Sequence, residues 1–283
     1  MRYFSPDESY LPQIKSLCCT CFDMSAGEVD FIFDNKYITI DMCYAVADGN
    51  NICCVLFTIP CAMMVKNKEY KGSYLYGACT SPRYRHRGLM HRLIKFANIQ
   101  NCKNGDAFSA LLPANKKLYD FYSEMGYKSL YKAKNEFVSK ELLPDSDKEI
   151  PYSTNPGAVA LTRIRNKLCS KHGGSICYEY PIMAYAVKFA EKNGGGVFQC
   201  EYGYFIYAYN KDNQMVVQEF MCERQHLRPM LNALKKVCKS DKLMLRVPPW
   251  LCSESEDFGM IKVFYGRVDT DEFNNAYMGL VFD

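Results

Sequence analysis

The stretch that most constrains this chain is "GACTSPRYRHRGLM", residues 77–90. A strand-like run ends there, Pro82 interrupts it, a basic turn Arg85-His86-Arg87-Gly88 follows, and a helical rhythm begins. A strand feeding a helix through a glycine belongs to an α/β arrangement. It also aims the helix N-terminus, with its unpaired N–H groups and positive dipole end, at whatever lies beyond the strand. Three readings of the basic cluster compete: a nucleic-acid patch, a solvated charged face, and a cradle for phosphate. The whole chain carries a net charge of only +4, which gives the nucleic-acid reading little support. The order strand, Pro82, Arg85, Gly88, helix favours the cradle. A glycine lets backbone approach an anion closely or turn with positive φ, and the arginines add charge-assisted bonds.

Beyond Gly88, residues Leu89, Met90, Leu93, Ile94 and Ala97 share one helix face. Upstream, residues 9–22 place Leu11, Ile14, Leu17, Cys18 and Cys21 at helical spacing. "SAGEVDFIFDNKY" predicts a second short helix, with Ser25 as N-cap and Glu28 closing a capping box. Three strands follow: "MCYAVAD", then after "GNN" the run "NICCVLFTIPCAMMV", then after a turn at "KNKEYKG" the run "SYLYGACT". After the helix, "AFSALLP" predicts a strand, "ANKKLYDFYSEMGY" a helix stopped at Gly126, and "KSLYKAKNEFVS" a strand. The first half therefore reads ααβββαβαβ, an α+β fold with a mixed sheet and helices packed on it.

The polar, proline-bearing stretch around residues 141–152 predicts a linker between domains at 1–140 and 153–283. The second half repeats the rhythm faintly. Helices are expected at 157–170 and 181–193, and "GGG" at 194–196 is a break. "VFQCEYGYFIYAY" and "QMVVQEFMC" predict an antiparallel pair, and "RQHLRPMLNALKKVCK" a helix. "KLMLRVP", "FGMIKVFYG" and "YMGLVFD" predict strands.

Fifteen cysteines without an apolar leader at the N-terminus point to free thiols in a reducing cytoplasm. Cys18-x-x-Cys21 has a metal or redox spacing, but no second pair lies near it and an apolar helix face predicts packing. No metal is expected. No run is apolar and long enough to cross a membrane.

The run Ser81-Pro82-x-x-Arg85-x-x-Gly88-Leu89-Met90 resembles the acyl-CoA signature Q/R-x-x-G-x-G/A of the GNAT superfamily of N-acetyltransferases. Met90 departs from it at the sixth position, as in the enhanced-intracellular-survival branch, where R-R-R-G-L-L-type runs are usual. "ANKKLYDFYSEMGY" resembles the family's later helix, with Asn115 near its start and Tyr122-x-x-x-Gly126-Tyr127 at its end. The resemblance is detailed over about residues 1–140 and faint beyond 150.

It implies a GNAT fold, with two tandem acetyltransferase-like domains, and direct acetyl transfer from acetyl-CoA to an amine acceptor. No nucleic-acid or membrane partner is implied. The cosubstrate would bond to the backbone of Ala78, Cys79 and Thr80. Its pyrophosphate would sit on Arg85, His86, Arg87, Gly88, Leu89 and Met90, with Asn115 nearby. The Cys79 amide is then the oxyanion donor and Tyr122 the acid that protonates the leaving thiolate. The general base stays open among Asp23, Glu28, Asp34 or a water chain. In the enhanced-intracellular-survival branch the C-terminal carboxylate enters the site, which makes Asp283 a further catalytic candidate. In the second half, Arg224 is kept but Leu227 stands where Gly88 stands, and Pro229 removes an amide. That half is expected to be a degenerate copy. A non-catalytic acyl-CoA-binding sensor is the alternative reading.

Overall fold

The structure is a computed structural model that describes residues 1–145, 150–264, 268, 273 and 275–280. Its chain forms two compact units. The first holds residues Met1–Ala62 and Tyr70–Ser129 and the segment returning from Met260. The second holds Met63–Glu69, Leu130–Gly259 and the C-terminal segment.

In the first unit the elements run β1 (Arg2–Phe4), α1 (Leu11–Phe22), α2 (Ala26–Asp34), β2 (Cys43–Asp48), β3 (Asn51–Val65), β4 (Lys68–Thr80), α3 (Leu89–Lys103), β5 (Phe108–Leu111) and α4 (Lys116–Ser123). Helix α1 buries Ile14, Leu17 and Cys18 and ends at Asp23, which takes a left-handed conformation with φ 54°. The predicted capping box starts α2: Ser25 Oγ accepts from the Glu28 amide at 3.3 Å, and the Ser25 amide donates to Glu28 Oε2 at 2.8 Å. Such a cap contributes about 1 kcal/mol. Strands β1 to β5 lie in sequence order, β4 and β5 parallel and crossed over by α3. Residues 260–263 pair antiparallel with the far edge of β5, Met260 opposite Leu111 and Val263 opposite Phe108.

The next strand, β6 (Lys128–Ser139), passes from Leu130 into the second unit. There follow β7 (Tyr152–Ser153), α5 (Ala158–Cys169), β8 (Ile176–Tyr178), α6 (Tyr180–Lys192), β9 (Gly196–Cys200), β10 (Gly203–Tyr209), β11 (Met215–Cys222), α7 (Leu227–Val237), β12 (Lys242–Val247) and β13 (Glu256–Val263). Strand β12 runs parallel to β11, Val217 opposite Leu245, and antiparallel to β6, Leu243 opposite Val138. The faint repeat in the sequence is therefore a repeat of architecture. Each unit has two helices, a three-stranded antiparallel meander, a helix, and a strand parallel to the meander's last. Each sheet is completed by a strand from elsewhere in the chain, residues 260–263 in the first unit and β6 in the second.

The structure corrects four local expectations. Strands β1, β7 and β8 are additional; each is three residues or fewer, too short for a periodic signal. The run "VFQCEYGYFIYAY" is two strands, turned at Glu201 and Tyr202, because Gly203 lies against the Met221 carbonyl where a Cβ would stand 1.9 Å away. The β3–β4 turn is only Lys66 and Asn67, both at positive φ (49° and 63°), a two-residue turn suited to strand twist. Residues 277–280 of "YMGLVFD" are not a strand: the Tyr277 amide donates to Ser175 Oγ at 3.0 Å and its carbonyl accepts from Ile176 at 2.9 Å.

A buried ion pair organises the second unit. Arg165 on α5 and Glu219 on β11 are both fully buried, with Nε to Oε1 at 3.0 Å. Arg165 also donates to the carbonyls of Ile176 and, at 2.7 Å, Met278, while Tyr204 donates to Glu219 Oε2 at 2.6 Å. Nearly every polar atom is used, as burial of two charges requires. Arg165→Met takes the ion-pair partner from a fully buried Glu219. It is expected to lower the unfolding free energy by about 3–5 kcal/mol in urea titrations, and a change under about 1 kcal/mol would contradict this account. Among the described residues, no helix is long and apolar enough to cross a membrane, and no cluster of His, Cys, Asp or Glu could hold a metal ion.

Candidate active site

Strand β4 pairs with β5 only at Gly72, Ser73 and Tyr74. Beyond Ala110 the partner soon ends, so among the described residues positions 75–80 of β4 have no strand on the β5 side while β3 flanks the other edge. Gly77 sits in this stretch at φ 60°, its missing Cβ 2.9 Å from the Phe57 ring, so a side chain there meets both strain and a clash. The backbone of Ala78, Cys79 and Thr80 lies along the edge that β5 leaves uncovered.

At the end of β4 the Ser81 amide is tied to the Cys53 carbonyl at 2.9 Å. A short helical turn, Pro82–Tyr84, follows and is fastened by Tyr84 Oη donating to Asp48 at 3.0 Å. His86 and Gly88 then both take left-handed backbone, φ 63° and 67°, and Gly88 caps α3. Among the described residues the amides of residues 86–91 have no acceptor; the first helical bond is Arg92 N–H to Gly88 O, 3.2 Å. Six donors thus stand unpaired at the positive end of a 15-residue helix, where an anion would be stabilised.

The arginines brace this turn from beneath. Arg85 Nε donates to Thr80 O at 3.2 Å and Arg87 Nη2 to Arg83 O at 3.2 Å. Arg92 donates to Arg87 O and to Tyr3 Oη, both at 2.7 Å. Among the described residues none of the four arginines 83, 85, 87 and 92 is paired with a carboxylate. Each guanidinium has five N–H donors, so most remain for an anion. These residues fit a pyrophosphate.

Tyr122, on α4, is 9% exposed and shares a core with Leu75 of β4, Leu89 of α3 and Leu111 of β5. It packs edge-on against Phe121 and Tyr127, with ring centroids at 5.2 and 5.9 Å. Its hydroxyl has no hydrogen-bond partner among the described residues, and burial pushes its pKa up to about 12. It is thus a protonated donor without an acceptor among the described residues. Asn115 caps α4, Oδ1 accepting from the Lys117 amide at 3.1 Å. Asp283 lies outside the described residues. Of the base candidates, Asp34 is paired with Lys15 at 3.0 Å, Glu28 is spent on the capping box, and Asp23 closes α1.

Two features escaped the sequence reading. Gly77 carried a usable signal, since a lone glycine inside a strand pattern marks a bulge or a close approach. The ties from Tyr3 to Arg92 and from Tyr84 to Asp48 carried none, because both join distant positions.

Strands β4 and β5 pair over only three residues beside the open amides that start α3, an arrangement set in a chain whose fold is that of GNAT proteins. Residues 2–130 match the family model described as "Acetyltransferase (GNAT) domain". The chain thus has the fold of GNAT proteins, an Eis protein among them. It resembles a GCN5-related N-acetyltransferase from Anabaena variabilis, with 13% identity, TM-score 0.76, and 93% of this chain and 72% of that one covered. It also resembles Eis1 from Mycobacterium abscessus, with 10% identity, TM-score 0.72, and coverage of 93% and 73%. A probable N-acyltransferase from Enterococcus faecalis is similar at 14% identity and TM-score 0.72, with coverage of 93% and 72%. Identities this low establish the fold. No curated protein matches the chain.

Proposed function

We propose that this enzyme transfers an acetyl group from acetyl-CoA to a primary amine of a small molecule or peptide by direct attack. The observation that carries the reading is the row of six unpaired amides at residues 86–91, flanked by arginines that have no carboxylate partner. The pyrophosphate rests on residues 85–90, and the pantetheine arm runs along Ala78, Cys79 and Thr80. The acceptor nitrogen bonds to the acetyl carbon and gives up a proton to water, the carbon–sulfur bond breaks, and the sulfur takes the Tyr122 proton, which water replaces. The Cys79 amide stabilises the oxyanion. A reducing cytoplasm suits this chemistry and the fifteen free thiols.

The second unit is a degenerate copy on this reading. Its junction between β11 and α7 is only residues 223–226, against 81–88 in the first unit, and Leu227 is already helical at φ −58°. Beyond the last β11–β12 pair, Val217 with Leu245, the corresponding edge is taken by Glu219 with Arg165 and Met278 O.

Calorimetric titration with acetyl-CoA at low and high salt, followed by thiol release against a panel of amines, tests the proposal. Binding that survives salt, and thiol release with an amine, are expected. A steep salt dependence with DNA and no acetyl-CoA binding would reject it.

A further inference from the structure

The Cys18-x-x-Cys21 pair meets two further thiols at the cofactor strand. The Cys79 thiol of β4 neighbours the thiols of Cys18 and Cys21. Cys21 Sγ donates to Thr80 O at 3.5 Å, and Arg85 Nε donates to that same oxygen at 3.2 Å. Cys54 Sγ lies 3.2 Å from Thr80 Oγ1. Cys18, Cys54 and Cys79 are buried and Cys21 is half-exposed. The neighbouring Cys79 thiol and the Arg85 guanidinium hold the Cys21 pKa below the usual thiol range, against the effect of burial. Cys79 is held above that range by the thiols of Cys18 and Cys21 and by burial. One sulfur is thus an accessible nucleophile and its neighbour a buried thiol, the pairing found in redox-sensing cysteines.

We propose that Cys21 is a peroxide-reactive thiol which, once oxidised, cross-links to Cys79 and closes the cofactor strand to acetyl-CoA. The Cys21 thiolate attacks hydrogen peroxide; a sulfur–oxygen bond forms, the O–O bond breaks, and hydroxide leaves. The Cys79 sulfur then displaces water from the resulting sulfenic acid. Overall, two thiols lose two hydrogens and two electrons, and one peroxide becomes two waters. Bonded sulfurs sit much closer than neighbouring thiols, so the link draws Cys79 and Thr80 toward α1. That movement takes the Cys79 and Thr80 backbone away from the pantetheine arm.

The effect on binding rests on the acetyl-CoA reading above, whereas the cross-link does not. The test treats the full-length protein with hydrogen peroxide, alkylates it, maps non-reduced peptides by mass spectrometry, and titrates acetyl-CoA before and after dithiothreitol. A peptide joining Cys21 to Cys79 is expected. Affinity should fall by about tenfold or more, the loss of one or two backbone hydrogen bonds, and return on reduction. Cys21→Ser should lose the cross-link and keep its affinity under peroxide, while Cys19→Ser should behave as the unmodified protein. A linkage of Cys79 to Cys18 instead, or oxidation spread over other cysteines, overturns the assignment of Cys21. The expected link with unchanged affinity overturns the closure. If the reduced protein also fails to bind acetyl-CoA, the function reading falls and the peptide map alone decides the cross-link.

Discussion

Replacing Gly88 by leucine, the residue that opens α7 in the second unit, is expected to raise the Kd for acetyl-CoA by about 100-fold while the chain still folds. Gly88 holds φ 67°, and a Cβ there would stand 3.3 Å from Arg92 Nη1. Holding a leucine left-handed costs about 1–2 kcal/mol. The loop can avoid that cost only by moving residues 86–88 toward ordinary φ. Either outcome disturbs the amides proposed to hold the pyrophosphate, and Arg92, which braces Arg87 O at 2.7 Å, is pushed from its seat. Losing one or two charge-assisted bonds at about 1.5–3 kcal/mol each accounts for the 100-fold change. The strain is local and exposed, so the urea midpoint should shift by no more than about 2 kcal/mol allows. Calorimetry on a variant with normal unfolding is the check. Unchanged affinity would remove the turn from the binding site.

The sequence made this turn visible because the signal is local: a strand, a proline, a basic run, a glycine and a helix stand within 14 residues. The capping box of α2 was legible for the same reason, Ser25 and Glu28 being three apart. What was not legible joins distant positions. Nothing in "LTRIRNKL" marks Arg165 as a fully buried arginine; Glu219, 54 residues away, decides it. Nothing in "KSLYKAKNEFVS" shows that the strand pairs with β12 more than 100 residues on, as Asn135 does with Arg246. The same limit applies within the candidate site. Tyr122 was picked out by its spacing to Gly126, but its burial and its unpartnered hydroxyl required the packing of α4 against β4 and β5.

That unpartnered hydroxyl makes Tyr122→Phe the sharper experiment. Turnover should fall about 100- to 10,000-fold, the contribution of a positioned general acid, with acetyl-CoA affinity unchanged. Stability should not suffer, because the hydroxyl has no hydrogen-bond partner among the described residues and its deletion breaks no bond. A merely packing tyrosine would show the second effect without the first. The pH dependence adds an independent readout. With its pKa near 12 in the folded chain and about 10 when unfolded, the phenol loses its proton first in the unfolded state. Its contribution to stability is therefore full below about pH 10 and is lost as pH rises from there toward 12. The difference in unfolding free energy between the two proteins should accordingly drift in favour of the phenylalanine variant above about pH 10, and the other tyrosines cancel in that difference. The acid stays protonated through neutral pH, so the fall in turnover should be the same at pH 7 and pH 9. A variant that keeps full turnover while showing the stability drift would leave Tyr122 buried as placed but exclude it as the proton donor.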